Sequence, residues 1–163
     1  MVAHSLAFWY RIVVASESLL EAASVKAEGG LKEFYLMHLE EERGHDEMLR
    51  DDLERMGVKE IPYSHTAAQV AGSQYYLIVH DDPALLLGYM HALESDAASL
   101  ESVDKMEAEC GTPLTAWRHH AIHDPAHREE LERMITSLDD ARITRVAWNE
   151  ACVKRALESA GGW

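Results

Sequence analysis

Thiols are nearly missing from this chain: Cys110 and Cys152 are the only cysteines in 163 residues. Two cysteines build no disulfide framework, and without a CxxC pair there is no dithiol redox motif or thiolate metal knuckle. A reducing, cytoplasmic setting is the expectation. Basic residues are also scarce, with 15 Lys and Arg against 29 Asp and Glu and a formal net charge of −14. Such a surface repels phosphate backbones and anionic lipid, so neither nucleic acid nor a membrane is an expected partner. Long apolar runs are absent too. The nearest approach, LAFWYRIVVA, is interrupted by Arg11, follows no basic stretch and is far too short to span a bilayer. No alternating strand pattern occurs, and the length suits one domain, 1–163, with a real hydrophobic core.

Proline is rare enough to act as punctuation. Pro62, Pro83, Pro113 and Pro125 each fall at an expected element boundary. The pattern predicts an all-α fold of about seven helices. The first covers about 5–26 and stops at Gly29-Gly30; the second covers about 31–56, with Gly57 just past its end. A loop over 58–64 leads to a third helix over about 66–79. Asp82-Pro83 reads as a cap and first-turn pair opening a fourth helix that ends near Cys110-Gly111. Thr112-Pro113 and Asp124-Pro125 repeat that start signal, so this stretch is one kinked helix or two. A last helix fills about 139–160.

What the chain has in quantity is histidine, ten in all, and two groups of them share a pattern. One is His38-x3-Glu42-x2-His45; the other is His120-x3-Asp124-x2-His127. On a helix, positions 0, 4 and 7 fall within roughly 60° of one another, so each triplet aims three metal-type ligands one way. Both triplets interrupt apolar stripes, the first between Phe34/Tyr35 and Met48/Leu49, the second between Trp117 and Leu131. Glu94 interrupts a third stripe, with Ala97 and Ala98 beyond it leaving room for a metal cluster or substrate. Charge on a buried stripe costs several kcal/mol unless paired. The stripes carry no Lys or Arg, since Arg43 and Arg128 lie on flanking faces, and a cation is the simplest partner. Gly44, mid-helix, costs about 1 kcal/mol against alanine, and close packing beside His45 is the expected reason.

Bland alternatives account for part of this. Glu40, Arg43 and Glu47 fit a solvated helix face. Asp124 before Pro125 is a good helix cap, so cap and ligand both stay open for it. In HLEEERGH, His38, Glu41 and Glu42 compete for the same role. Imidazole with carboxylate suits iron, manganese or zinc, and the lack of thiolates argues against iron–sulfur clusters. Seven side chains (His38, Glu42, His45, Glu94, His120, Asp124 and His127) are too many for one tetrahedral zinc and suit two metals with open positions. Phe34, Tyr35, Tyr75, Tyr76, Met90 and Trp117 either surround a pocket for a small, partly apolar molecule or simply pack the core.

Through HLEEERGHDEML, LLLGYMHALES and HHAIHDPAHREEL, the chain resembles the haem-oxygenase-like di-iron oxidases, related in fold to thiaminase-type and pyrroloquinoline-quinone-synthase-type proteins. His120, Asp124 and His127 match that family's last motif without adjustment. Glu94 matches the glutamate of its middle helix, and His45 the histidine of its earlier motif. Some members carry a glutamate seven residues before that histidine, where this chain has His38; Glu42, or Glu41, then takes the carboxylate role. The resemblance implies a helical bundle whose two pseudo-symmetric halves sandwich the cofactor. It further implies two iron ions per chain, with manganese or zinc as substitutes, and oxidation of a small organic substrate by dioxygen. A fatty acid, an amino acid and an amine are the substrate types considered, and a homodimer is compatible.

A ferritin-like bundle, using Glu17 or Glu21 from the first helix, is the alternative in the same chemistry. It favours glutamate where Asp124 stands and leaves His38 and His120 unused. A non-catalytic helical binding protein is the alternative from another class. Neither cysteine suits a thiaminase nucleophile, and haem oxygenase proper would need a proximal histidine on the first helix, where only His4 stands.

Overall fold

Breaks between helices, more than helix formation, shape this chain. The computed structural model describes residues 2–95 and 98–159. Among them run α1 (Val2–Val13), α2 (Ser16–Lys26), α3 (Gly29–Glu42), α4 (His45–Arg55), α5 (His65–His80), a 3-10 turn (Pro83–Leu85), α6 (Leu86–Glu94), α7 (Leu100–Cys110), α8 (Thr115–Thr136) and α9 (Asp140–Ser159). The all-α class is as expected. The expected helices appear as nine segments because three are interrupted and two run together. No helix among the described residues is long and apolar enough to cross a membrane.

The interruption at Gly44 corrects the reading of that residue. Its φ is +80°, in the left-handed region, and a Cβ added there would meet nothing within 4 Å. Backbone conformation, and not close packing beside His45, is what requires glycine. The Gly44 N–H donates to Glu17 Oε1 at 3.1 Å, so α2 holds the break in place. Asp82 does cap as read, accepting from the Ala84 N–H at 3.0 Å with Pro83 following. Asp124 does not: α8 runs continuously through it, with Pro125 inside the helix. The fourth expected helix ends early at Glu94, and Ala97, expected to leave space one turn on, lies outside the described residues, as does Ala160.

Two apolar clusters organise the packing. One joins α2, α3, α5, α6 and α9 through Leu19, Phe34, Ile78, Leu87, Val153 and their neighbours. The other joins α1, α4, α7 and α8 through Leu6, Leu53, Val103 and Ala116. Three contacts fix how the helices meet. At Gly88, α6 approaches α9 so closely that a Cβ would lie 2.3 Å from the Val146 carbonyl oxygen and 2.9 Å from the Glu150 nitrogen. The buried Asn149 amide on α9 donates to Gln74 Oε1 and to the Leu85 carbonyl, both at 2.8 Å, tying α9 to α5 and the 3-10 turn. Asp52 on α4, fully buried, accepts from the Thr115 and Ala116 amides at 3.0 and 2.9 Å and also pairs with Arg55. Those amides open α8, where no residue within the helix can bond them.

Two substitutions test this framework. Gly88→Ala forces backbone apart where no flexible side chain can yield, and should cost about 1–3 kcal/mol. Asp52→Ala strands two buried amides and should cost about 2 kcal/mol. Urea unfolding of the metal-free protein measures both; wild-type stability in either variant would contradict the packing described.

Candidate metal centre

Helix ends deliver most of the candidate ligands. The C-terminal turn of α3 carries His38, Glu41 and Glu42, the first residue of α4 is His45, and the last residue of α6 is Glu94. Only His120, Asp124 and His127 share one continuous helix, α8, where their spacing aligns them as expected. In the first triplet the step from Glu42 to His45 crosses the Gly44 break, so a single helical face does not account for it. The left-handed glycine nonetheless folds them together, with Glu42 Oε2 3.2 Å from His45 Nδ1.

All seven candidates converge, in two adjoining groups. His38, Glu94 and His127 each present a ligand atom within 4.8 Å of the others. Glu94 Oε1 lies 3.5 Å from His38 Nε2. Glu41, on the rim, lies 3.6 Å from His38 Nδ1 and 3.8 Å from His127 Nε2. The second group is Glu42, His45, His120 and Asp124. Here the His45 and His120 rings are 4.8 Å apart, and His120 Nδ1 lies 2.9 Å from Asp124 Oδ1 in a hydrogen bond. Asp124, buried at 5% exposure, therefore bonds to an imidazole in place of the helix cap its sequence suggested.

The groups are buried without being satisfied. His38 Nδ1 and Nε2, His45 Nδ1, Glu94 Oε2 and His120 Nε2 are all inaccessible to solvent and lack a hydrogen-bond partner. Buried polar groups rarely go unpaired, and an ion or ligand is one reason they do. Glu42 and Glu94 add a second anomaly, since each ends its helix at the negative pole of the helix dipole, where a carboxylate is disfavoured. Burial pushes the Glu94 carboxyl up, and the Asp124 charge adds to this against the pull of His38 and His127. Burial would lower His38, but the Glu94 carboxylate, with Glu41 and Glu42, outweighs it and raises the imidazole. His120 is likewise lowered by burial and raised more by Asp124, Glu42 and Glu94. Glu42 is the counterpart: burial would raise it, and His45, His120 and His38 together hold it low. Negative potential concentrated in this way suits cations.

A cavity enclosing roughly 940 Å³, part of it open to solvent, adjoins both groups. His38, Glu42, Glu94, His120 and Asp124 form its polar wall, while His45 and His127 back onto them. The remaining wall is apolar and aromatic, with no Lys or Arg among the lining residues. Met90 and Trp117 line it as expected. Phe34 and Tyr35 instead pack the core, the Tyr35 hydroxyl donating to the Pro83 carbonyl at 2.7 Å, and Tyr75 and Tyr76 face outward. Tyr89 was missed. Its buried hydroxyl and the Trp117 indole nitrogen both border the cavity without a hydrogen-bond partner. The adjacency of Tyr89 to Gly88 was the available signal, because the glycine side of α6 packs against α9 and turns the next residue elsewhere. Neither Glu17 nor Glu21, the ligands a ferritin-like reading needs from the first helix, lines this cavity; Glu17 is engaged at Gly44.

No family model and no curated protein matches this sequence. Among solved structures it is similar to a domain of unknown function with a haem oxygenase-like fold from Shewanella denitrificans OS217. The TM-score is 0.82 at 18% sequence identity, and the likeness covers 96% of this chain and 75% of that one. The chain therefore has a haem oxygenase-like fold, as its motifs led us to expect.

The electrostatics carry a signed prediction for the metal-free protein. His38 and His120, raised by their carboxylate neighbours, contribute stability that is complete below the ordinary imidazole value and lost as pH rises through their raised values. Glu94, also raised, works in the same direction, and Glu42, held low, loses its contribution only in acid. His119 alone opposes them, lowered by burial and neighbouring imidazoles. The melting temperature of chelator-treated protein should fall as pH crosses the imidazole range upward; calorimetry showing a rise would contradict the assignment. Asp124→Asn should leave the fold intact and flatten that dependence by removing the charge beside His120.

Proposed function

We propose that this protein is a non-haem di-iron oxidase that uses dioxygen to oxidise a small, largely apolar organic molecule. The observation that carries the reading is the pair of orphaned, buried ligand groups set against helix C-termini at the wall of an apolar cavity. The structural charge of Asp52 is met by two amides and Arg55, whereas these groups pair only with one another and leave buried imidazole nitrogens and a carboxylate oxygen without a hydrogen bond. The donor set fits two divalent ions of the iron, manganese and zinc class. His38, Glu94 and His127 would hold one, and Glu42, His45, His120 and Asp124 the other.

Two ferrous ions in such a set supply the capacity to bind and activate dioxygen. The rest falls to the chain. Asp124 Oδ1 engages His120 Nδ1, which fixes the ring and leaves the buried Nε2 free as the ligating atom. Leu19, Leu20, Leu86 and Leu93 exclude water from the cavity. Tyr89 and Trp117 offer unpaired donors to a substrate acceptor. An indole N–H only donates, and so does an ammonium, which favours a fatty-acid-like molecule over an amine. With no cation in the wall, that acceptor is held by neutral hydrogen bonds.

Reconstitution with ferrous iron under anaerobic conditions, followed by elemental analysis, tests the centre. Two irons per chain are expected, with affinity rising as pH increases, because bound metal displaces protons from His38 and His120. No metal above background in folded protein would overturn the proposal. Addition of oxygen with a panel of fatty acids, amino acids and amines should then give substrate-dependent oxygen consumption, and irons that never react would reassign the chain to metal binding or storage. Tyr89→Phe should weaken fatty-acid binding by about 1 kcal/mol, the worth of one hydrogen bond, while leaving iron content unchanged.

A further inference from the structure

Helix α8 carries more histidine than the centre uses. His119 and His123 stand one helical turn apart with ring centroids 4.4 Å apart and planes inclined by 35°. The His119 ring lies 4.8 Å from that of His45, which in turn lies 4.8 Å from His120. In the other direction, His123 stacks 6.5 Å from His127, itself 5.4 Å from His38. Six imidazoles thus form a continuous line joining the surface to both ligand groups. Exposure falls along it, from an exposed His123 through a half-buried His119 to His45 at 3%.

Nothing else among the described residues employs the outer pair. Among the described residues neither His119 nor His123 has a hydrogen bond or a carboxylate ion pair, unlike the other imidazoles of the line, which all face carboxylates. The cavity offers a hydrated ion no comparable route. Trp9, Val13, Leu19, Leu20 and Leu49 in its lining would offer a dication no ligand in exchange for its water. Imidazoles at i and i+4 face the same way, and as neutral nitrogen donors they match divalent iron, cobalt and zinc.

We propose that His119 and His123 form an outer transition-metal site, which captures a divalent ion at the surface and passes it through His45 to the buried centre. The passage rests on the buried centre being a metal centre, as proposed above; the outer site does not. Apolar cavity and histidine line then divide the traffic, organic molecule by one path and ion by the other.

The test uses cobalt(II) and the full-length chain, comparing wild type with His119→Ala/His123→Ala. Binding is followed by calorimetry and by the visible absorption of the bound ion, with circular dichroism to check the fold. The double variant should lose one weakly bound equivalent and fill the buried centre about tenfold more slowly, an effective-concentration effect, while reaching the same final occupancy. His123→Ala alone, at an exposed position, should reproduce the slower filling without risk to folding. Unchanged stoichiometry and filling rate would overturn the proposal, and loss of the outer equivalent without slower filling would overturn the passage. If wild type shows only a weak equivalent that the double variant abolishes, the outer site stands and the buried centre is what fails.

Discussion

The Asp52 carboxylate sets the register on which the rest of this structure depends. It accepts the first two amides of α8, and it lies two helical turns beyond His45 on α4. Docking Asp52 on Thr115 and Ala116 therefore fixes where His45 stands along α8, opposite His120. Asp124 and His127 follow at helical intervals and reach α3 and α6. A charge with a purely structural task positions the buried charges of the candidate centre. The contrast between them is electrostatic. Asp52 sits at a helix N-terminus, where unpaired amides and the positive dipole end satisfy a carboxylate. Glu42 and Glu94 sit at the opposite kind of end, where their partners are imidazoles: His45, His120 and His38 hold Glu42 low, while burial leaves Glu94 raised despite His38 and His127.

Much of this was legible in the sequence. Periodicity located the helices, and the interruption of three apolar stripes by His38, Glu42, Glu94 and the α8 triplet singled out side chains that the fold does bring together. The local rules that failed did so for identifiable reasons. Glycine inside an amphipathic pattern reads either as close packing or as a break, and only the φ of +80° at Gly44 decides for the break. Asp-Pro carries the same start signal at residue 82 and at residue 124. Asp82 caps, whereas Asp124 is claimed by His120 while α8 continues past it. Aromatic residues expected at a site need not reach it: Tyr75 and Tyr76 face solvent because α5 turns its Ala67, Val70, Ala71, Gln74 and Ile78 face inward. The Tyr89 hydroxyl was not singled out because one-dimensional patterns do not distinguish an unpaired polar tip from a satisfied one.

The site is asymmetric in a way that composition could not convey. Its polar wall gathers carboxylate and imidazole from α3, α6 and α8, while α1 and α2 contribute mainly hydrocarbon and indole. The two apolar clusters meet across this boundary, so the ligands occupy the seam between them and not the centre of either. Close backbone contact at Gly88 holds α6 against α9 and brings its terminal Glu94 to that seam. Helices α1 and α8 contribute to both clusters, through Ile12 and Leu131 on one side and Leu6 and Ala116 on the other, and residues of both clusters line the cavity beside the candidate ligands.

Pro125 lies within α8, one residue past Asp124 and two before His127. Having no N–H, it leaves the Ala121 carbonyl without its helical partner, so the ladder of hydrogen bonds lacks a rung between the two groups of ligands. The turn bearing His127 can therefore tilt against the turn bearing His120 and Asp124 without breaking a bond that the helix possesses. A rigid helix would fix the spacing of the two groups once and for all; this one has a built-in compliance at the point where that spacing is set. The spacing of the two groups along α8 is then a mechanical property of a single imino acid.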